Sequence, residues 1–159
     1  AALTGHMGLS TLHTNDAPST INRLMNMGIE PFLVATSVHL IQAQRLIRRI
    51  CRDCKEEMQL PRKALLDLGY TEEEAETTKV YKGRGCPTCN NSGYKGRTAL
   101  MEVMEMSDQL REMVLMGANA VELKRQSLEE GMITLRRSGL IKISKGVTTI
   151  DEVVRETVL

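Results

Sequence analysis

Four cysteines form the clearest chemical pattern in this sequence. They fall as two pairs, Cys51-Arg-Asp-Cys54 and Cys86-Pro-Thr-Cys89, with the 31 residues 55–85 between them. A gap of two residues lets the backbone curl so that both sulfurs face one ion, and four thiolates suit tetrahedral Zn²⁺ at about 2.3 Å. Because four thiolates leave no open position for water, such a site is structural. The spacing therefore predicts a structural zinc site.

Two disulfides, or four thiols packed in a core, would also account for the cysteines. The N-terminus lacks the basic-then-apolar plan of an export signal, and the cytosol keeps thiols reduced. Core cysteines have no reason to recur in pairs at this spacing. We therefore favour zinc, whose four thiolates would leave a local net charge that nearby cations offset: Arg48, Arg49, Arg52, Lys55, Arg84 and Lys95.

Two of the three histidines, His6 and His13, lie in the run "TGHMGLSTLHTND". Residues 7–14 mix apolar, β-branched and small residues, which favours a buried strand. In a strand, residues seven apart project to opposite faces, so these imidazoles would not share one metal. A lone polar residue at a strand end is more often a hydrogen-bonded structural group than a catalytic one. Spacing alone therefore favours structural roles.

The elements that position these residues begin with two helices. Asp16 as a cap and Pro18 in the first turn predict a helix from Pro18 to Met27, ended by Gly28. Glu30-Pro31 then predicts a longer helix to about Ile50 with an apolar stripe, in which His39 is exposed and has no function. In that helix, four cations would share one face: Arg45, Arg48, Arg49 and Arg52.

The rest of the chain alternates short elements and turns. Within residues 51–98, the sequence predicts brief helices at 61–68 and 71–76. The pattern of residues 98–106 then predicts a strand. Glycines at 117, 131 and 146 then separate three or four helices. Two starts carry the capping-box spacing, Asn119 with Glu122 and Thr149 with Glu152. The last helix would present one apolar face: Ile150, Val153 and Val154.

Composition excludes several classes of protein. The formal net charge of +1, one Phe, three Tyr and no Trp argue against nucleic acid as a partner. No apolar run is long enough for membrane insertion. We therefore expect a cytoplasmic protein. Because the chain opens on Ala1 in what reads as the end of a helix, we expect it to be a piece of something longer.

Three stretches carry a family resemblance. "AALTGHMGLSTLHTNDAPSTINRLMNMGIEPFLVATSVHLIQAQRLIRRIC" closely resembles the histidine-box region of the secretion ATPases, the family that powers type IV pilus assembly and type II secretion. The resemblance continues through the cysteine segment, "GYKGRTALMEVMEM" and "GVTTIDEVVRETVL", and so covers essentially the whole chain. The last two stretches look more like the pilus-assembly branch.

The resemblance implies an α/β fold: the C-terminal part of a RecA-like ATPase core with a tetracysteine zinc insertion and a helical C-terminal subdomain. Residues 1–50 would end the core with the histidine-box strand and helices, residues 51–98 would form the insertion, and residues 99–159 a returning strand and the subdomain. His13, with Thr14 and Asn15, would face the γ-phosphate of ATP, and His6 would couple to a neighbouring element or subunit. Both histidines matter in the family, so their roles could be exchanged.

The family also implies a homo-hexamer that uses ATP and Mg²⁺ and works against an inner-membrane platform protein, peripheral to that membrane. The sequence has no G-x-x-x-x-G-K-[ST] loop; "GYKGRT" at residues 93–98 has neither the span nor the GK pair. Without that phosphate cradle, we expect this chain alone not to hydrolyse ATP, whereas the parent protein would.

Two readings from other classes stay open. "CPTCNNSGYKGR" also resembles chaperone-type zinc modules, which would make the chain a freestanding zinc-knuckle adaptor that binds protein. However, Asn91 stands at the first of the expected glycine positions, and the repeated units are missing. A nucleic-acid-binding zinc ribbon is the other reading, which the low aromatic content and near-zero net charge oppose.

Overall fold

The computed structural model describes residues 2–157, which form two compact units. The first unit contains residues up to 44 and residues 101–134, and the second contains residues 45–100 and those from 135 onward. The mixed α/β class predicted from the sequence is confirmed. Across the described residues, no helix has both the length and the apolar character needed to cross a membrane.

Eight α-helices and four strands make up the regular structure of the described chain. The helices are α1 (Ala17–Asn26), α2 (Pro31–Ser37), α3 (Arg62–Leu68), α4 (Glu72–Thr77), α5 (Asp108–Leu115), α6 (Ala120–Glu129), α7 (Leu135–Ser144) and α8 (Ile150–Glu156). The strands are β1 (Leu40–Ile50), β2 (Lys55–Met58), β3 (Val80–Gly83) and β4 (Tyr94–Glu105). Short 3₁₀ turns cover Ala2–Thr4, Arg52–Cys54 and Pro87–Cys89.

The predicted start and end of α1 are confirmed within one residue. Asp16 is the N-cap, and its side chain accepts a hydrogen bond from the backbone N–H of Ser19 at 3.0 Å. Pro18 lies in the first turn, where its missing N–H costs nothing. Gly28 follows the helix with φ of 88°, a conformation that suits glycine.

The long helix predicted to reach Ile50 is wrong. Helix α2 ends at Ser37, Val38 is extended with ψ of 126°, and Leu40–Ile50 is strand β1. Ile41 and Ala43 are buried while their immediate neighbours are exposed, which is the alternation of a strand. The single cationic face predicted for four arginines is therefore also wrong, because neighbouring residues of a strand point to opposite faces.

The strand predicted for residues 7–14 is also wrong. Neither sheet of the described chain includes these residues, which have no regular structure. Met7 is 89% exposed and Leu9 is 91% exposed. A buried strand needs neighbouring strands that hydrogen-bond to its edges, and neither sheet of the described residues extends to this segment. The argument that put His6 and His13 on opposite strand faces therefore does not apply to this structure.

The four strands of the described chain pair into two sheets. Strands β1 and β4 form one two-stranded sheet, and β2 and β3 form another. The second pair is antiparallel, with Lys55 opposite Gly83 and Met58 opposite Val80. The predicted strand at residues 98–106 therefore exists and begins earlier, at Tyr94. The brief helices predicted at 61–68 and 71–76 are confirmed as α3 and α4.

The predicted capping boxes differ in outcome. Asn119 accepts from the N–H of Glu122, whose carboxylate accepts in turn from the N–H of Asn119. Thr149 accepts from the N–H of Glu152 at 3.4 Å, but the Glu152 carboxylate points to Arg48 instead. The apolar face predicted for α8 is partly wrong, because Val153 is buried but Val154 is exposed.

Candidate functional site

The four cysteines meet in the second unit. They are free thiols, and their sulfurs all lie within 4.8 Å of one another. The Cys51–Cys86 and Cys54–Cys89 sulfur pairs are 3.8 Å apart, and Cys86–Cys89 is 3.7 Å. A disulfide has its sulfurs about 2.05 Å apart, whereas a tetrahedron with metal–sulfur bonds of about 2.3 Å has an edge of about 3.8 Å. The cluster therefore has the dimensions of a four-thiolate metal site.

Backbone N–H groups stabilise the sulfurs. Gly85 donates to Cys54 Sγ, and Cys86 and Gly93 both donate to Cys89 Sγ, each at 3.3 Å. Such donors favour the thiolate, which is the form that binds a metal. The second pair sits on a 3₁₀ turn that Asn90 ends in the left-handed conformation, with φ of 50°. The turn thus places the Cys86 and Cys89 sulfurs side by side, with the N–H of Cys86 directed at Cys89 Sγ.

The surroundings separate the acidities of two of the thiols. Burial raises the pKa of the Cys54 thiol to about 12, even though the N–H of Gly85 opposes that shift. Burial acts in the same direction on Cys89, but the N–H groups of Cys86 and Gly93 outweigh it and lower its pKa to about 6. Four thiolates so close together require a cation between them, since like charges at this distance repel strongly.

Two glycines allow the approach of the chain segments that carry the cysteines. A Cβ on Gly83 would lie 2.0 Å from the carbonyl oxygen of Gly93, and a Cβ on Gly93 would lie 2.6 Å from that of Gly83. Both obstacles are backbone atoms, which cannot rotate away. Gly93 also has φ of 77°. Its N–H reaches Cys89 and its carbonyl accepts from Cys51, so it connects both cysteine pairs.

The histidines belong to the first unit, whereas the cysteines belong to the second. His6 is exposed, and its Nδ1 is 3.0 Å from Thr4 Oγ1. His13 and Asn15 are exposed as well, whereas Thr14 Oγ1 is 2.9 Å from Thr20 Oγ1. The roles predicted for His6, His13, Thr14 and Asn15 at a nucleotide stay predictions. His39 is exposed, as expected, with Nδ1 3.4 Å from a guanidinium nitrogen of Arg111.

Sequence reasoning missed two buried acids. Glu102 accepts from the backbone N–H of Ala17 at 2.7 Å, beside the predicted nucleotide segment, and Glu152 accepts from Arg48. A signal for Glu102 was available, because the alternation of β4 places it on the same face as Leu100 and Met104. Both of those residues are buried. An acid in an inward register position is a candidate for a specific hydrogen bond.

Comparison with known proteins covers almost the whole chain. The family model described as type II/IV secretion system protein matches residues 1–155. The type IV pilus assembly ATPase PilB of Myxococcus xanthus is 52% identical over 158 residues, which are 99% of this chain and 28% of that protein. The protein of the same name in Pseudomonas aeruginosa is 46% identical over 157 residues, 99% of this chain and 28% of its own length.

A secretion protein is also similar. Type II secretion system protein E of Klebsiella pneumoniae is 43% identical over 157 residues, which are 99% of this chain and 31% of that protein. The chain therefore spans less than a third of the length of these three relatives. Because the family model matches nearly every residue and these relatives align along nearly the full chain, the chain belongs to the type II/IV secretion system protein family, as its resemblance to the secretion ATPases predicted.

Proposed function

We propose that this chain is the C-terminal part of a cytoplasmic motor ATPase that drives type IV pilus assembly or type II secretion. The observation that carries the proposal is the similarity along nearly the whole chain to proteins named as pilus assembly ATPases. These are more nearly identical to the chain than the type II secretion protein E named above, which favours pilus assembly. Most of the RecA-like core, with most of the residues that bind the nucleotide and Mg²⁺, would lie outside this chain.

In this proposal, the four-cysteine cluster holds one structural Zn²⁺. Support comes from the sulfur separations of 3.7–3.8 Å, which suit the tetrahedral ion, and from the three N–H donors to sulfur. When bound, the ion supplies no chemistry beyond crosslinking, because all four positions would be thiolates. Cys51, Cys54, Cys86 and Cys89 would then fasten residues 51–98.

Metal content tests the zinc assignment. We expect one Zn²⁺ per chain in the full-length protein, and less than a tenth of that in Cys54→Ser or Cys89→Ser, because a structural site needs its full ligand set. Thr88→Ala is the matched control, since Thr88 is exposed and lies between two ligands without being one. Zinc retained at full occupancy in both serine variants would overturn the assignment.

The histidine segment would face the nucleotide. His13 would donate a hydrogen bond to the γ-phosphate or to the attacking water, with Thr14 and Asn15 beside it, and His6 would couple to a neighbouring element or subunit. Both imidazoles are exposed, and the run between them carries the exposed Met7 and Leu9. Exposed apolar side chains at this spacing suit a segment that other parts of the motor cover.

Steady-state kinetics of the full-length motor tests this role. We expect His13→Ala to lower kcat about 100-fold, the loss typical of one donor to developing charge, with little change in ATP affinity. His39→Ala is the control, because His39 is an exposed imidazole on the same unit. Unaltered turnover in His13→Ala would contradict the assignment to His13, and the same measurement on His6→Ala decides whether the two roles are exchanged.

The assembly would be a ring of six copies that transmits motion to an inner-membrane platform protein through the helical tail and the cysteine insertion. Native mass spectrometry of the full-length protein with ATP tests the ring. We expect a species of six copies, and a protein that stays monomeric at every nucleotide concentration would contradict it. This chain alone should show no ATP hydrolysis, because it carries no phosphate-binding loop.

A further inference from the structure

The buried carboxylate of Glu102 connects strand β4 to the start of helix α1. Glu102 is 2% exposed, and its Oε1 accepts a hydrogen bond of 2.7 Å from the backbone N–H of Ala17, which lies 85 residues earlier in the sequence. Ala17 is the first residue of α1 and follows directly after the segment proposed to face the nucleotide. We propose that Glu102 is a positioning residue for that segment, a role that rests on the proposed function of His13.

The first turn of α1 shows why this bond matters. The first N–H groups of a helix have no partner inside the helix. Pro18 has no N–H, and the N–H of Ser19 donates to the Asp16 side chain at 3.0 Å. Ala17 is then the one residue among 17–19 whose N–H needs a partner from elsewhere in the fold, and Glu102 supplies it. Strand β4 therefore holds the first residue of α1 in place, at a start that Asp16 and Pro18 mark locally.

An acid is a costly residue for this position. Its neighbours on the same face of the strand, Leu100 and Met104, are 0% and 1% exposed. Burying a carboxylate costs free energy unless hydrogen bonds compensate, whereas an apolar side chain would fill the space without that cost. The bond to Ala17 offsets part of this cost, because it combines an N–H donor with the positive end of the α1 dipole.

The bond between Glu102 and Ala17 also affects the segment proposed to face the nucleotide, because the residues before Ala17 are attached to α1. The Asp16 carboxylate hydrogen-bonds the Ser19 hydroxyl, and the Thr14 hydroxyl lies 2.9 Å from that of Thr20. Thr14–Ala17 is thereby attached to α1, and His13 immediately precedes this attached stretch. A shift of α1 would therefore move His13, and a misplacement of about 1 Å can cost about 100-fold in rate.

A double-mutant cycle in the full-length motor tests the proposal. We expect Glu102→Ala to lower kcat at least tenfold with ATP affinity unchanged, and to add less than a twofold loss when His13 is already Ala. Glu102→Gln should recover most of the rate, because its amide oxygen can still accept from Ala17. Glu105→Ala is the control, since Glu105 is an exposed acid at the end of the same strand.

The outcomes separate the two proposals. If His13→Ala keeps its rate, the proposed role of His13 fails. If His13→Ala is slow but Glu102→Ala is as fast as the wild type, or the two losses multiply, only the positioning role fails. A purely structural role would instead lower the hexamer yield and ATP binding together. Where Glu102→Ala does not fold, Glu102→Asp enters the same cycle, because its carboxylate is one methylene short of Ala17.

Discussion

Arg48 and Glu152 are joined through both backbone and side chain. The backbone N–H of Arg48 donates to Glu152 Oε2 at 2.9 Å, and its guanidinium donates to Oε1 at 3.0 and 2.6 Å. Glu152 is 0% exposed, and burial acts to raise its pKa, but the bonds from Arg48 outweigh burial and lower it. The guanidinium also lies 4.1 Å from the ring centroid of Tyr94. This pair holds α8 against β1. Arg48 lies three residues before Cys51, the first cysteine of the cluster.

Removing Arg48 should release α8. Arg48→Ala removes the guanidinium from Glu152, which keeps its bonds to the backbone N–H of residue 48 and to Arg155. Because the Arg48 side chain is nearly half exposed, solvent screening limits the loss to about 1 kcal/mol. We expect backbone hydrogens of residues 150–156 to exchange about fivefold faster in the full-length protein, as measured by mass spectrometry. Arg49→Ala is the control, because Arg49 neighbours Arg48 on β1 and forms no ion pair in the described chain. Equal exchange in both variants would contradict the finding.

Gly93→Ala should impair the cysteine cluster more than its backbone conformation alone explains. Gly93 and Gly117 have φ of 77° and 79°, but a Cβ on Gly117 would meet nothing within 4 Å. Gly117→Ala therefore reports the cost of the left-handed conformation, about 1–2 kcal/mol. We expect Gly93→Ala to lower the free energy of unfolding by more than this, and to leave a zinc content well below one ion per chain. Equal melting temperatures and full zinc in both variants would show that the contact with Gly83 is unimportant.

Acid should weaken the ion pair between Glu74 and Arg137. The guanidinium holds Glu74 by two hydrogen bonds, one of 2.9 Å, and with the N–H of Thr71 lowers the pKa of the carboxyl to about 2. The folded pKa lies below the unfolded value of about 4.3. The stabilisation is therefore complete above that value and is lost as the pH falls toward 2.

The corresponding test is the pH dependence of Glu74→Gln. Because Glu74 is partly exposed, solvent screening limits the contribution to about 1 kcal/mol at pH 7. We expect the difference in unfolding free energy from the wild type to shrink as the pH falls from about 4.5 to 2. Comparing both proteins at each pH cancels every effect of acid that the two proteins share, including loss of the proposed Zn²⁺. Glu73→Gln, an exposed acid in the same helix, should show no such trend.

Helices α7 and α8 pack together at Gly139, where there is no room for a side chain. A Cβ on Gly139 would lie 2.3 Å from Val153 Cγ1, and Val153 is fully buried. Gly139→Ala should cost about 2 kcal/mol by overpacking. In a Val153→Ala background the contacts with both γ-carbons are gone and only a Cβ–Cβ approach of 3.2 Å is left. The gain in helix propensity, up to about 1 kcal/mol, then offsets part of the cost, so the same change should destabilise the protein much less. Thermal denaturation of the four proteins measures this difference, and equal destabilisation in both backgrounds would refute the contact.

Much of this fold is predictable where a short segment contains its own signal. Asp16 and Pro18 mark the start of α1, and Asn119 with Glu122 marks that of α6, because caps depend on residues three or fewer apart. The meeting of the four cysteines was likewise predicted from two short spacings and is confirmed. In each case, the physical cause is local.

The errors arise where partners are remote. In residues 40–50 the apolar positions fit a helical stripe almost as well as a strand, and pairing of β1 with β4 decides the outcome. Ala17 and Arg48, which donate to Glu102 and Glu152, lie 85 and 104 residues away from them, so neither of these two bonds has a local signature. Residues 7–14 have strand composition, but a strand forms only against neighbours. No local pattern supplies those partners.

The second unit is built from two separate stretches of the chain, and this division orders its assembly during synthesis. The ribosome releases Arg48 and all four cysteines long before Glu152, so strand β1, which leads directly to Cys51, emerges before its ion-pair partner on α8. A nascent chain halted near residue 134 would already contain every sulfur of the cluster but none of α7 or α8. All four cysteines are therefore available before the unit is complete, and α8, which emerges after them, adds the contact with Arg48.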